Sequence, residues 1–295
     1  VKETRTGGVM VKEPKYWYKW TKTGKKLKLQ IADGPVEGFR VDPVNMDRGD
    51  GLGELDFSYI GRYHCGSDYK SSTNVAQKTN ITRSAARSGI HNLGSYIWQM
   101  DFAQMWYVGM LFLVEFADWN GQTRIGYGCS PSSSKQNNGR TDSMQYHTGT
   151  TAANRTTYGF TQYRNIEGWW DNVFDWMDGC YYNNNGLNVI KNPAQFSDSA
   201  NGTLVGKPVG GYPSDFAIPT QSGLEWALYP TASSGSQTTY VPDSWNFSGS
   251  NPCLYHGGNY SQGLVYGLFC VYYSSASSSY SSIGGRLQER PPKAA

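Results

Sequence analysis

The longest coherent apolar stretch of the chain is Phe102 to Asp118, FAQMWYVGMLFLVEFAD. Apolar residues fall on most sides of a helix drawn through it, which predicts a buried central helix rather than a surface one. Asp101 stands at the N-cap position and Gly121 lies just past the end, a start and a stop signal for a helix. A second, short helix is predicted around Arg83–Asn92, inside the linker of residues 72–98. Elsewhere the period is two. KYWYKW, the turn TKTGKK and LKLQIA, with alternating Leu27, Leu29 and Ile31, spell a β-hairpin with Gly24 in its turn. LDFSYIGRYHC reads as a short strand after the polar loop Asp42–Gly53, and Ser130–Asn154 reads as a loop. From Tyr163 to Arg290 short strands alternate with turns, and Pro291-Pro292 ends the fold. The pattern is that of a loop-rich α+β chain with short strands and about two helices, without a clean internal repeat.

Composition narrows the class. The chain has 295 residues, enough for a substantial core. Its aromatic content is 15% and its charged content only 17%, the reverse of a disordered chain. With 35 Gly, 22 Tyr and 10 Trp, irregular segments pinned by aromatic side chains are expected. A run of about 20 apolar residues, which a membrane helix requires, is missing from the sequence, so no membrane insertion is expected. The chain opens at Val1 without a Met or a signal-peptide pattern, and we expect a mature form or a piece of something longer.

Charge and cysteine change the picture less. Residues 1–30 carry nine Lys and Arg against Glu3 and Glu13, while the remainder is net acidic by four. A basic arm beside Tyr16, Trp17, Tyr18 and Trp20 has the look of a nucleic-acid contact, yet the hairpin pattern is the simpler account, and no nucleic-acid partner is expected. We divide the chain into a basic N-terminal hairpin or arm (1–32), a ligand-binding domain (33–290) and a tail (291–295). Cys65, Cys129, Cys180, Cys253 and Cys270 include no CxxC pair and fit reduced, buried thiols. Arg48-Gly49-Asp50 matches an adhesion tripeptide, but three-residue matches are cheap. Asp42, Asn45, Asp47 and Asp50 offer oxygen ligands without EF-hand spacing, and the same residues dominate plain turns. His64, His91, His147 and His256 are isolated from one another. No metal, cofactor or catalytic residue is expected.

The C-terminal segment Cys253–Leu287 is the most informative. Gly257-Gly258, Gly263, Gly267-Leu268-Phe269 and Ile283-Gly284-Gly285-Arg286 form a frame, and Tyr and Ser make up half of the stretch from Tyr255 to Ser282. Tyr gives a large amphipathic contact at low entropic cost, and Ser, Asn and Gly adapt their hydrogen bonding. Trp, Met, Lys, Glu and Gln together supply 52 residues of the chain, so about six are expected in these 35 positions. Only Gln262 is present. The missing types are those that an Asn codon cannot reach when only its adenines change. The alternative is a Ser/Tyr-rich surface hairpin of no special history.

In Arg164–Gly179, RNIEGWWDNVFDWMDG, the run Asn172-Val173-Phe174-Asp175-Trp176 resembles the GNVWEW element of the formylglycine-generating-enzyme family, a relative of C-type lectin folds. Gly257-Gly258-Asn259 and Gly284-Gly285-Arg286 follow in the order that family shows. With the adenine-accessible fill, the chain resembles the variable proteins of diversity-generating retroelements over residues 50–290. The resemblance implies a C-type lectin (formylglycine-generating-enzyme-like) fold and a diversified segment at about 253–287. The thiol-oxidising enzymes of that family place two reactive cysteines shortly after the Gly-Gly. Here Cys253 precedes it and Cys270 sits in an apolar strand pattern, so an enzyme is not expected.

Three functions follow from these readings. The first is a receptor-binding protein, at a phage tail tip or as a bacterial surface adhesin. The second is an enzyme on the same scaffold, and the third is a structural tail or fibre subunit. For the first, ligand contact is expected from Tyr255, His256, Asn259, Tyr260, Ser261, Val265, Tyr266, Tyr272, Tyr273, Ser274, Ser275, Ser277, Ser279 and Tyr280, with help from the loop Tyr240–Trp245. Gly257, Gly258, Gly267, Phe269, Ile283, Gly284 and Arg286 are expected to build the scaffold, and Trp169, Trp170, Phe174 and Trp176 to anchor the core. The expected partner is a host cell-surface protein or glycan. A homo-oligomer, most simply a trimer, is expected for the full-length protein, with Lys12–Lys28 and whatever precedes Val1 as the assembly region.

Overall fold

The computed structural model describes residues 1–129, 132, 134–262 and 266–293. Among these, three α-helices, Arg83–His91 (α1), Phe102–Phe116 (α2) and Gly121–Arg124 (α3), stand among twenty short strands. The class is α+β, mostly sheet and rich in loops.

The apolar run becomes α2. Asp101 caps it by accepting from the Gln104 amide, and Ala117 ends it in the left-handed region at φ 50°. Residues Phe102–Met110 and Phe112 are buried, so almost the whole circumference is enclosed, as the continuous pattern requires. Aromatic rings arrive from several directions. Trp106 lies 6.4 Å from Trp20, 6.4 Å from Trp245 and 6.2 Å from Phe269, measured between ring centroids. Gly109 explains itself here, since a Cβ on it would stand 2.7 Å from Cε1 of Phe269. A mid-helix Gly costs about 1 kcal/mol against Ala, and that cost brings Phe269 onto the helix.

The predicted hairpin forms from Trp17–Thr23 and Lys26–Ala32, in register from Trp17 opposite Ala32 to Thr23 opposite Lys26. Gly24 takes φ 59° in its turn. Leu27, Leu29 and Ile31 pack against the main core, while Lys25, Lys26 and Lys28 are exposed. The residues before it are built into the body as well. Gly8–Pro14 pairs with Phe57–Gly61 inside a five-stranded sheet, ordered Lys2–Arg5, Gly8–Pro14, Phe57–Gly61, Leu287–Glu289, Ile97–Gln99. The chain's last strand thus sits between strands from its first hundred residues, which brings the Ile283–Arg286 frame back to the centre of the molecule.

A four-stranded sheet carries the segment of interest. Its order is Val271–Ser274, Cys253–His256, Phe174–Met177, Ile283–Gly284. Phe174–Met177 pairs antiparallel with Cys253–His256 and parallel with Ile283–Gly284. Among the described residues no helix is long and apolar enough to cross a membrane.

Candidate functional site

The frame residues are structural. Gly257 has φ 84°, and a Cβ there would stand 2.9 Å from the Trp169 carbonyl oxygen; one on Gly258 would stand 2.4 Å from that of Trp170. The Gly-Gly pair therefore wedges against the backbone of the tryptophan pair, a close approach open only to glycine. Gly267, Leu268, Phe269, Ile283 and Gly284 are buried. Trp169, Trp170 and Trp176 are at most 1% exposed and Phe174 is 4% exposed. Trp170 donates to the Gly126 carbonyl and Trp176 to that of Ile81.

Arg286 is the keystone. It is fully buried and donates through Nε to Asp175 Oδ2 at 3.1 Å. Its Nη1 reaches the Gly61 and Arg62 carbonyls at 2.8 and 3.0 Å, and Nη2 those of Glu167 and Gly168 at 2.9 and 3.3 Å. His64 Nε2 lies 3.5 Å from the same Asp175 oxygen. Burial raises the Asp175 carboxyl to about 6 against the pull of Arg286. Sequence reasoning assigned Arg286 to the scaffold but missed Asp175 and His64 as its companions. The Asp inside Asn172–Trp176 was the available signal.

On this frame stands a tyrosine face. Cross-strand register puts Tyr255 opposite Tyr272, Leu254 opposite Tyr273 and Cys253 opposite Ser274. Side chains alternate across a strand, so Leu254, His256 and Val271 turn inward while Tyr255 and Tyr272 turn outward. Tyr255 lies 4.9 Å from Phe174, 5.6 Å from Trp176 and 5.8 Å from Tyr272 between centroids. Tyr266 joins them at 5.4 Å from Phe174 and 5.8 Å from Tyr272. Tyr273, opposite Leu254, falls on the inward side by the same alternation and packs against the main core, its ring 5.5 Å from that of Tyr272. Burial raises the Tyr255 and Tyr266 hydroxyls above the ordinary tyrosine value, so the face is neutral at physiological pH. Phe174 and Trp176 form its floor, a role beyond the core anchoring expected of them.

The expected contact residues divide. Ser261, Ser277, Ser279 and Tyr280 are exposed; Tyr255, Tyr260, Tyr266, Tyr272, Tyr273 and Ser275 are half-buried. Three expectations are corrected. His256 is 0% exposed, Asn259 3% and Ser274 7%, so none of them belongs to the surface. His256 faces inward by strand alternation, with its ring 4.8 Å from Trp169, and burial lowers its pKa to about 3. Asn259 closes a turn by accepting from the amide and hydroxyl of Ser261. Ser274 lies opposite the buried Cys253. Val265 is outside the described residues. In the loop 240–245 only Tyr240 is exposed.

The remaining motifs are engaged internally. Arg48 pairs with Asp101 at 2.5 Å and Asp50 with Arg290 at 2.6 Å, so Arg48-Gly49-Asp50 is an intramolecular tie and presents no adhesion loop. Asp42 accepts from the Tyr16, Val44 and Asn45 amides, and Asp47 from that of Gly49. The four oxygen-bearing residues therefore do not converge on one point. All five cysteines are free and buried. Burial raises each thiol, Cys253 to about 11 and Cys270 well above the ordinary value, which opposes thiolate chemistry. A cavity of about 450 Å³ between Val11, Tyr107, Leu111 and Tyr163 escaped sequence reasoning altogether. Arg164 and Asn165 at its rim both have positive φ, 49° and 69°, and nothing in the local pattern announces that.

A scan of protein-family models matches no family, and a search of curated proteins matches none. Among solved structures the chain is similar to the "Major Tropism Determinant P3c Variant", with a TM-score of 0.39 and 10% sequence identity. The alignment covers 79% of this chain and 50% of that one, about half the neighbour's length.

Proposed function

We propose that the chain is a ligand-binding module of the C-type lectin type whose Tyr/Ser hairpin is a diversified recognition surface, carried at a phage tail tip and directed at a host cell-surface protein or glycan. The observation that carries the reading is the split of one segment into two chemistries. Residues 253–285 contain no Asp, Glu, Lys or Arg. Within them Gly257, Gly258, Leu268, Phe269 and Ile283 are buried, while the exposed and half-buried positions are mainly Tyr and Ser. A surface selected for change needs a scaffold that does not notice the change. Inward Leu254, His256 and Val271 and the Gly-Gly wedge supply it, because exposed substitutions remote from such features usually stay within about ±0.5 kcal/mol.

Sequencing the gene from independent isolates tests the proposal. Substitutions should concentrate in adenine-containing codons between Cys253 and Leu287, at outward positions such as Tyr272, Ser277 and Tyr280. A near-copy of the gene's 3′ end should lie beside a reverse transcriptase. Substitutions spread evenly over the chain, with no such near-copy, would overturn it. A surface adhesin of a bacterial cell would use the same face, and the location of the gene, in a phage genome or outside one, separates the two carriers.

A further inference from the structure

A cavity of about 270 Å³ opens where the turn of the basic hairpin meets the loop that ends at Val241, and Lys25, Trp119, Ser214, Asp215, Phe216 and Tyr240 line it. The ring of Trp119 lies on that of Phe216, with centroids 5.1 Å and planes 4° apart, and meets Phe269 at 4.7 Å. Its orientation is therefore fixed from below. Tyr240 is the opposite case. It is 67% exposed and its φ is 58°, in the left-handed region that bulky residues rarely enter. Strained residues of this kind cluster at functional positions, and here the strain holds an aromatic ring out in water beside a cavity.

The polar groups suit a particular ligand. Asp215 Oδ1 receives the Phe216 amide at 2.9 Å and Lys22 Nζ at 2.8 Å. The side chain is 17% exposed, which leaves the carboxylate acceptor capacity toward solvent. Burial works to raise this carboxyl, but the hydrogen bond and charge of Lys22 hold it below its ordinary value, so it is an ionised acceptor. Lys25 brings an ammonium to the same rim and Ser214 a hydroxyl. The loop Pro230–Pro242 contributes no charge of its own.

We propose that this cavity binds one neutral sugar residue and is a second site, separate from the tyrosine face. A pyranose presents a face of C–H groups, which an aromatic ring takes, and a rim of hydroxyls. A carboxylate accepts from such hydroxyls, and an ammonium and a serine donate to them. The volume lies near the small end of the roughly 300–1,000 Å³ of ligand pockets, which suits a single ring better than a stretch of peptide. Asp215 and Lys22 cancel as an ion pair and Lys25 is exposed to solvent, so no buried net charge in the cavity calls for an ionic sugar.

Saturation-transfer NMR on the whole chain tests this. The probes are the methyl glycosides of glucose, galactose, mannose, N-acetylglucosamine and rhamnose, with N-acetylneuraminic acid and a neutral tetrapeptide for comparison. At least one neutral glycoside should give saturable transfer, strongest at its ring C–H protons. Tyr240→Ala should weaken that binding about tenfold, the loss of one aromatic contact. Asp215→Asn should weaken it as well, and Ser277→Ala on the tyrosine face should leave it unchanged. Tyr240 is exposed, so its variant should keep the parent far-UV spectrum; should it fail to fold, Asp215→Asn decides. No saturable transfer from any of the five glycosides, transfer indifferent to both substitutions, or preference for the acidic sugar or the peptide would overturn the proposal.

Discussion

Arg286 offers the sharpest test of the scaffold. It makes five hydrogen bonds in full burial, four of them to backbone carbonyls of Gly61, Arg62, Glu167 and Gly168. Arg286→Met would take the donor from the Gly61, Glu167 and Gly168 carbonyls, while that of Arg62 keeps the Glu167 amide, and leave Asp175 without its cation. Removing one partner of a buried ion pair costs about 3–5 kcal/mol, and each orphaned acceptor adds about 1–3 kcal/mol. The sum reaches the roughly 5–15 kcal/mol that holds a domain folded, so the Met variant should be insoluble or unfolded. Arg286→Lys keeps the charge but offers three donors from one point instead of five in a fork. At least two acceptors then lose their donor, which costs about 2–6 kcal/mol. Asp175→Asn should be the mildest of the three, since its amide oxygen still accepts from Nε. Urea unfolding followed by tryptophan fluorescence ranks them. An Arg286→Met variant that folds within about 1 kcal/mol of the parent would refute the keystone reading.

Tyr255→Ser and Tyr266→Ser should each lower stability by about 1 kcal/mol, because half a ring leaves the Phe174–Trp176 floor, whereas Ser277→Tyr and Ser279→His should shift it by less than about 0.5 kcal/mol; thermal unfolding separates the groups. Trp176→Ala should cost about 3–5 kcal/mol and give insoluble protein, and a folded variant that has lost only ligand binding would move this residue into the site. Burial raises Asp243 to about 7, so the folded state holds that proton more tightly than the unfolded chain, and the contribution is lost as pH rises from about 4 through 7. Asp243→Asn, which still accepts from the Phe269 amide, should therefore gain on the parent by about 2–3 kcal/mol between pH 5 and pH 8, and urea midpoints that move in parallel would refute this. Light scattering on the longest natural form should find a trimer, since several weak sites gain avidity of about 10²–10⁴ when held together; a strict monomer that holds its cell-surface ligand tightly would speak against it.

The legible parts of the fold were those with a local cause. α2 was readable because its apolar run is too long and too continuous for anything but a buried helix. The Trp17–Ala32 hairpin was readable because alternation and Gly24 coincide. The glycine frame was readable as scaffold, although its reason, the backbone of Trp169 and Trp170 pressed against Gly257 and Gly258, is a contact between segments nearly ninety residues apart. The parallel pairing of Phe174–Met177 with Ile283–Gly284 has no local signature, nor does the return of Leu287–Glu289 to the N-terminal sheet. The site failed where composition was allowed to stand for geometry. His256 belongs to the adenine-accessible palette, yet in the strand Cys253–His256 it shares the inward parity of Leu254. The same rule places Tyr255 outside.

That parity accounts for Tyr255 and Tyr272, whereas Tyr273 shares the inner side with Leu254. In a two-residue period, one face of a hairpin can be held while the other is free. The inner face is held by Leu254, His256 and Val271 and by a sheet partner whose Asp175 is locked to Arg286. The edge is held by Val271, which accepts from the Asn246 amide and donates to the Ser244 carbonyl. Those ties are backbone bonds, indifferent to the side chain at Tyr272. A register slip by one residue would exchange the two faces and turn the slipped strand's outward tyrosine, Tyr255 or Tyr272, inward. The Gly-Gly wedge forbids that slip, because Gly257 and Gly258 fit against Trp169 and Trp170 in only one position. The frame thus does more than support the hairpin: it fixes which side chains of the segment face outward.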